Sequence, residues 1–123
     1  PAVRADGVTP AADPHLPQPL WFKDYAVDVE QADPDSMLAL YRAALAIRQE
    51  SLTATRDTTA EQVDMGDDVV AYTRAAVGGR VFTSITNFGN APVALPDGSV
   101  VLASGPLTPE GQLPTDTSAW VIK

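Results

Sequence analysis

Residues 33–50, "DPDSMLALYRAALAIRQE", constrain the fold of this chain more than any other segment. The segment opens with residues that favour the start of a helix. Asp33 can accept hydrogen bonds from free backbone N–H groups, Pro34 suits the first helical position, and Asp35 complements the positive end of the helix dipole. We therefore predict a helix that begins at Asp33 and ends at Glu50.

This helix carries apolar surface on two sides. About half of its circumference is formed by apolar side chains that recur at helical spacing, namely Met37, Leu38, Leu40, Tyr41, Ala44, Leu45 and Ile47. The opposite side holds three alanines, which allow another backbone to approach closely. Because leaving the large side chains in water would cost roughly 1.5–3 kcal/mol each, we expect both sides to be covered. Arg48 lies on the apolar side, and we expect it to pair with a buried acceptor or carboxylate across the junction with the following segment.

The rest of the chain divides into an arm before the helix and a β module after it. Residues 1–20 are rich in proline and lack periodicity, which predicts an extended arm. The stretch "FKDYAVDVEQ" that follows predicts a short extended piece or a turn of helix.

After the helix, β-branched and aromatic runs alternate with turn residues. The pair Gly78-Gly79 separates two such runs and predicts a hairpin, because glycine accepts the positive φ of a tight turn. Further short strands are predicted within residues 61–65, 91–95, 99–104 and 118–123. The predicted fold class is therefore mainly β, with a small antiparallel sheet or sandwich preceded by an extended arm and a helix.

Composition excludes several classes of partner. At 123 residues the chain has the size of one domain, and its 16 acidic and 8 basic residues give a net charge of −8. We predict no nucleic acid and no membrane as partner, because phosphate binding needs clustered Lys and Arg and no stretch approaches the ~20 apolar residues of a membrane span. The absence of cysteine excludes disulfides and thiolate sites. No signal peptide is visible, so we expect a cytoplasmic location, and because the sequence starts at Pro1 we expect a segment upstream.

No residue pattern in the chain predicts an active site. His15 is the only histidine, lies in the proline-rich arm and is expected to be structural or exposed. Asp64, Asp67 and Asp68 surround Gly66 but lack the spacing and terminal Glu of an EF-hand, so a solvated turn is favoured over a calcium site. We predict no catalytic, cofactor-binding or metal-binding residue in this chain, and no cofactor.

Three aromatic residues, Trp21, Phe22 and Tyr25, follow the arm. They could stack against a sugar ring. Packing in a core or an interface is favoured, because prolines and valines flank them.

The order of these segments resembles the C-terminal end of α-glucosidases and oligo-1,6-glucosidases of glycoside hydrolase family 13. In that family a "PWLP-P" stretch, a "v-v--Q" stretch and a helix of the form "d--S-l--Y+-li-lR" follow one another. The matching residues here are Pro14, Leu16, Pro17, Val27, Val29, Gln31, Asp35, Ser36, Leu38, Tyr41, Leu45 and Arg48. The family continues with a β domain that carries "v-ay-R", "NF", "LP" and a closing "LpP-ta-wl". The counterparts here are Val70, Ala71, Tyr72, Arg74, Asn87, Phe88, Leu95, Pro96, Leu113, Pro114, Thr117 and Trp120.

The resemblance runs from about residue 14 to the C-terminus and has two departures. His15 stands where the family usually has tryptophan. The family's upstream "RDG-R-PM-W" segment is not recognisable in residues 1–13, so Arg4 and Asp6 are given no sugar-binding role. The family's nucleophilic Asp, its acid/base Glu and its second Asp come from barrel strands far upstream, and none is assigned to this chain.

The resemblance implies that residues 1–50 are the end of a (β/α)₈ catalytic barrel and that residues 51–123 are a C-terminal β-sandwich domain. Such a barrel takes about 250 residues, so the implied partner is the missing N-terminal barrel portion, attached or associated. The parent would be a retaining α-glucosidase-type hydrolase that binds its α-glucoside through the barrel, and the isolated chain would be inactive. The alternative is a free-standing β-sandwich module that binds a sugar or a protein, with the helix as its docking face.

Overall fold

The computed structural model of the chain describes residues 19–53, 55 and 59–123. Residues up to 43 and residues from 44 onward form two units, which are described in turn. The first unit contains a 3₁₀ helix, Leu20–Tyr25, the helix α1, Val27–Ala32, and the beginning of the helix α2, Met37–Ser51. For the stretch "FKDYAVDVEQ" the sequence predicted either a short extended piece or a turn of helix. The structure contains a helix there, α1. The arm predicted over residues 1–20 lies outside the described residues except at its last two positions.

Helix α2 begins at Met37, four residues after the predicted start at Asp33. Ser36 caps it, because its Oγ accepts a hydrogen bond from the N–H of Ala39 at 3.2 Å. The same hydroxyl donates to the carbonyl of Glu30 at 2.6 Å, which ties the cap to α1. Asp33 forms a separate turn instead, in which its Oδ1 accepts from the N–H of Asp35 at 2.9 Å. The predicted cap at Asp33 is therefore wrong, and the hydroxyl that can bind both elements takes that role.

The second unit is built on a five-stranded antiparallel sheet. Its strands are β1, Glu61–Val63; β2, Val69–Ala75; β3, Val81–Asn87; β4, Ser99–Ala103; and β5, Thr117–Ile122. Their order across the sheet is β1-β2-β3-β5-β4, and every neighbouring pair is antiparallel. The predicted fold class, an antiparallel β domain preceded by a helix, is confirmed.

The hairpin predicted at Gly78-Gly79 joins β2 to β3. Both glycines have positive φ, 78° and 75°, which is the backbone conformation that glycine adopts without strain. The strand predicted over residues 91–95 forms only an isolated bridge between Val93 and Leu113. Pro92 and Pro96 flank that bridge, and since proline has no N–H to donate, the pairing cannot extend into a ladder.

The core of the second unit lies on one face of the sheet, here called the inner face. Its centre is formed by buried residues from three strands and one loop, namely Ala71, Ile85, Leu113, Ala119 and Val121. Half-buried side chains from the connecting segments close over it, namely Met65, Leu95 and Leu107. The second layer over the centre of the inner face is thus supplied by the loops, while Val81 at the hairpin end of that face is 44% exposed.

Asn87, at the end of β3, fixes those loops to the sheet. Its side chain is fully buried, and its Nδ2 donates to the carbonyls of Ala91 at 2.9 Å and Leu113 at 3.1 Å. Its Oδ1 accepts from the N–H of Gly89 at 2.9 Å. One amide therefore satisfies three buried or half-buried backbone groups from two loops.

Candidate interaction surface

Within the described residues, the acidic side chains singled out in the sequence are not grouped into a metal site. His15 lies outside the described residues. Asp64, Asp67 and Asp68 are exposed, and the Oδ1 of Asp64 accepts from the N–H of Gly66 at 3.1 Å, as expected for a solvated turn. Among residues 19–53, 55 and 59–123, no three His, Cys, Asp or Glu side chains are grouped so that they could hold a metal ion.

An open groove of about 320 Å³ lies beside the β2–β3 hairpin. Arg74 and Arg80 line it together with Glu61, but both guanidinium groups support neighbouring structure. Arg74 Nη2 donates to Oγ1 of Thr55 at 3.3 Å, and Arg80 Nε donates to the carbonyl of Val77 at 2.9 Å. Glycoside hydrolysis needs two facing carboxyl groups. Among the described residues that line the groove, Glu61 is the only carboxylate, so these residues do not supply that pair.

The three aromatic side chains of the first unit form an exposed cluster. The Trp21 and Phe22 rings are 4.5 Å apart at 82°, and the Trp21 and Tyr25 rings are 5.9 Å apart at 88°. Edge-to-face packing of this kind is favourable for aromatic pairs. The three rings are 57%, 40% and 67% exposed in Trp21, Phe22 and Tyr25, so a large apolar surface is open to a partner here.

Helix α2 presents a stripe of large apolar side chains to solvent. Met37, Tyr41 and Leu45 follow one another at a spacing of four and are 59%, 63% and 59% exposed. Ser51 is the only fully buried residue of the helix. The second covered side that the sequence predicts is therefore not supplied by the described residues. Arg48 is also exposed, so the buried partner expected for it is not formed within the described part of the chain.

The sheet has an outer face, opposite the core, which the described residues cover only at one end. Phe82 and Ile122 are buried there beneath Leu52 and Trp120. Towards the other end, Val70 and Tyr72 are 40% and 45% exposed. The outer face of an antiparallel sheet is normally polar when water covers it, so these two residues mark an apolar surface without a partner in the described structure.

These exposed apolar surfaces were only partly predictable. The helical wheel identified the stripe on α2, and the aromatic residues were recognised as interface candidates. The outer face of the sheet was missed. None of the described helices is both long enough and apolar enough to span a membrane.

The chain is similar in structure to one part of several much larger enzymes. It matches the trehalulose synthase MutB from Pseudomonas mesoacidophila MX-45 with a TM-score of 0.68 and 25% sequence identity over 92% of the chain. It also matches the trehalose-6-phosphate hydrolase of Bacillus licheniformis with a TM-score of 0.70 and 20% identity over 91% of the chain. In each case the chain spans only 22% of the length of the enzyme. No protein-family model and no curated protein sequence matches the chain.

Proposed function

We propose that this chain, which belongs to glycoside hydrolase family 13 and has the fold of its members' C-terminal region, is a domain-packing part of a retaining α-glucosidase-type enzyme. One observation carries the proposal. A helix and an antiparallel sheet match a much larger enzyme over 92% of this chain and 22% of that one, at 25% identity. In this proposal residues 1–50 complete the catalytic barrel. Residues 51–123 form the C-terminal β domain, which the sequence predicted as a β-sandwich and which is built on one five-stranded sheet with a second layer of loops. The partner is then the N-terminal barrel portion of the same enzyme.

The uncovered stripe on α2 supports a packing role. Met37, Tyr41 and Leu45 are each about 60% exposed. Covering what remains of these three side chains would contribute roughly 3–5 kcal/mol, since full burial of a large apolar side chain contributes ~1.5–3 kcal/mol. That gain is available only from a partner, because Ser51 is the only residue of α2 that the described chain itself buries fully.

The chemistry would reside in the partner. Retaining hydrolysis needs a nucleophilic carboxylate and an acid/base carboxyl about 5–5.5 Å apart, and the described residues that line the groove beside the hairpin include one carboxylate, Glu61. The α-glucoside would therefore bind to the barrel, and this chain would contribute no catalytic group. The matched enzymes include a synthase and a hydrolase. Because one C-terminal fold accompanies both, the choice of a glucosidase rests on the sequence resemblance, and the cytoplasmic location likewise stays a prediction from the sequence.

The test is reconstitution of activity. The 123-residue chain and the polypeptide encoded upstream of Pro1 in the same reading frame are purified separately and assayed with a chromogenic α-glucoside, alone and combined. We expect no hydrolysis by the chain alone and activity when the two are combined or joined. Hydrolysis by the chain alone, or an upstream sequence without a barrel of about 250 residues, would overturn the proposal.

The same experiment decides the alternative, a free-standing module that binds a sugar or a protein. That alternative predicts a coding sequence that starts near Pro1 and a stably folded monomer.

A further inference from the structure

The loop that leads into β4 contains an aspartate followed directly by a glycine. Asp97-Gly98 is the only such dipeptide among the described residues, and it immediately precedes Ser99, the first residue of the strand. The side chain of Asp97 is 90% exposed. Within the described structure, no backbone carbonyl accepts a hydrogen bond from the Gly98 N–H. Because glycine has no side chain, residue 98 itself does not shield its backbone nitrogen from the neighbouring carboxyl group.

An Asp-Gly dipeptide can rearrange in water without an enzyme or a cofactor. The Gly98 nitrogen attacks Cγ of the protonated Asp97 carboxyl group, a C–N bond forms, and the N–H proton and the carboxyl hydroxyl leave as water. The product is a five-membered succinimide ring. Water then opens the ring at the former backbone carbonyl, so that the main chain runs through the Asp97 side chain as isoaspartate. One water is lost and one is regained, and ring closure is fast for an intramolecular step because the two groups are held side by side.

The chain contains a matched turn that lacks this chemistry. Glu110-Gly111 also follows a proline, its glutamate is exposed, and Gly111 has a positive φ, 77°, as Gly98 does, 143°. The glutamate carboxyl is one methylene further from the backbone, so the same attack would have to close a six-membered ring. That closure immobilises one more rotatable bond, which costs entropy. We therefore expect the rearrangement at Asp97 and not at Glu110.

Gly98 is packed closely against β5, so a change in its backbone affects the sheet. A Cβ at this position would lie 2.7 Å from Val121 Cγ1 and 2.8 Å from the carbonyl oxygen of Ile122. Isoaspartate inserts one methylene into the main chain immediately before this contact. Because Ser99 pairs with Ile122, the added length has to be absorbed at the start of β4. At Gly111, by contrast, a Cβ would meet nothing within 4 Å.

We propose that Asp97-Gly98 is a site of spontaneous isoaspartate formation in the folded chain, and that the modification loosens the pairing of β4 with β5. The only reactant besides the chain is water. Lys123 Nζ lies 3.3 Å from Asp97 Oδ2, but both side chains are exposed, and an exposed ion pair contributes little to holding a carboxylate in place. The site lies within the sheet domain and is independent of the proposed function.

The experiment follows the rearrangement in the 123-residue chain during incubation in neutral buffer. The chain is digested, and mass spectrometry with electron-transfer fragmentation distinguishes isoaspartate from aspartate in each peptide. We expect conversion at position 97 and at least about tenfold less at position 110. Asp97→Glu should abolish conversion at position 97, and Glu110→Asp should introduce it in the matched turn. The peptide map separates both positions from Asp6-Gly7, which lies outside the described residues.

A synthetic peptide of residues 93–102 is incubated in parallel until it has reacted. Conversion in the peptide without conversion in the chain would overturn the proposal, because the folded turn would then block ring closure. The isoaspartate form of the chain, separated by chromatography, should unfold at a urea midpoint about 1 M below that of the unmodified chain. An unchanged midpoint would overturn the effect on β4. Neither measurement involves hydrolysis of a glucoside or the upstream segment, so failure here is distinct from failure of the proposed function.

Discussion

Replacement of Asn87 by alanine tests whether one buried amide holds the loops on the sheet. The substitution removes two hydrogen bonds donated to carbonyls, at 2.9 and 3.1 Å, and one accepted from a backbone N–H at 2.9 Å. A hydrogen bond contributes a net ~0.5–1.5 kcal/mol, and a buried group left without its partner costs more. We therefore expect Asn87→Ala to lower the free energy of unfolding by about 3 kcal/mol.

Urea denaturation of the 123-residue chain, followed by circular dichroism and tryptophan fluorescence, measures this change. With a slope of about 1–3 kcal/mol per molar urea, the midpoint should fall by roughly 1–3 M. Asn90→Ala is the matched control, because Asn90 lies in the same loop and is exposed. We expect it to change the stability by less than ~0.5 kcal/mol.

Asn87→Asp separates hydrogen bonding from shape. The side chain keeps its size and one acceptor, but a carboxylate would face the carbonyl oxygens of Ala91 and Leu113. We expect a loss of stability at neutral pH at least as large as for alanine, because a buried charge would meet two acceptors. One hydrogen bond contributes about 1 kcal/mol. If the free energy of unfolding of Asn87→Ala differs from that of the parent chain by less than about this amount, the proposed role of the amide is refuted.

Three further substitutions test other parts of the structure. Gly98→Ala should destabilise the sheet domain in urea by about 2 kcal/mol or more, because Gly98 has a φ of 143° and a new Cβ would lie 2.7 Å from Val121 Cγ1 and 2.8 Å from the carbonyl oxygen of Ile122. Ser36→Ala should cost about 1 kcal/mol and reduce the helical circular dichroism signal, since it removes the cap of α2; an unchanged signal would contradict that role. Tyr41→Ala should change the stability of the isolated chain by less than ~0.5 kcal/mol but that of the full-length enzyme by about 2 kcal/mol, and equal effects in both would count against the packing role.

The sequence predicted correctly the elements that are determined by residues close together in the chain. The β2–β3 hairpin was found because Gly78 and Gly79 supply the positive φ that its turn requires. The start of α2 was misplaced because two local signals compete. Asp33 and Ser36 are both good capping residues, and the decisive contact is the hydrogen bond from Ser36 to the carbonyl of Glu30, six residues away. A cap of that kind depends on how α1 and α2 meet, which propensity does not describe.

The interaction surface was predictable only where it lies on a helix. The helical periodicity placed seven apolar residues of α2 on one side. It did not predict which of these residues would be covered by another part of the chain. The structure shows that Met37, Tyr41 and Leu45 remain exposed while Leu38 and Leu40 are half-buried. The expectation for Arg48 is not met within the described residues, because its side of the helix is exposed there.

The alternation in β2 points to a strand whose two faces are both meant to be covered. In the run Val70, Ala71, Tyr72 the smallest residue is the fully buried one, because it faces Ile85 and Leu113 in the core. The two larger residues face outward, where a strand with one solvated face would carry polar side chains. A strand that turns its larger apolar side chains away from its own core gains from that arrangement only if another surface meets them. The exposed apolar residues of β2 and the apolar stripe on α2 therefore indicate the same thing, a surface that a partner covers. In the strand they recur every two residues and in the helix every 3.6.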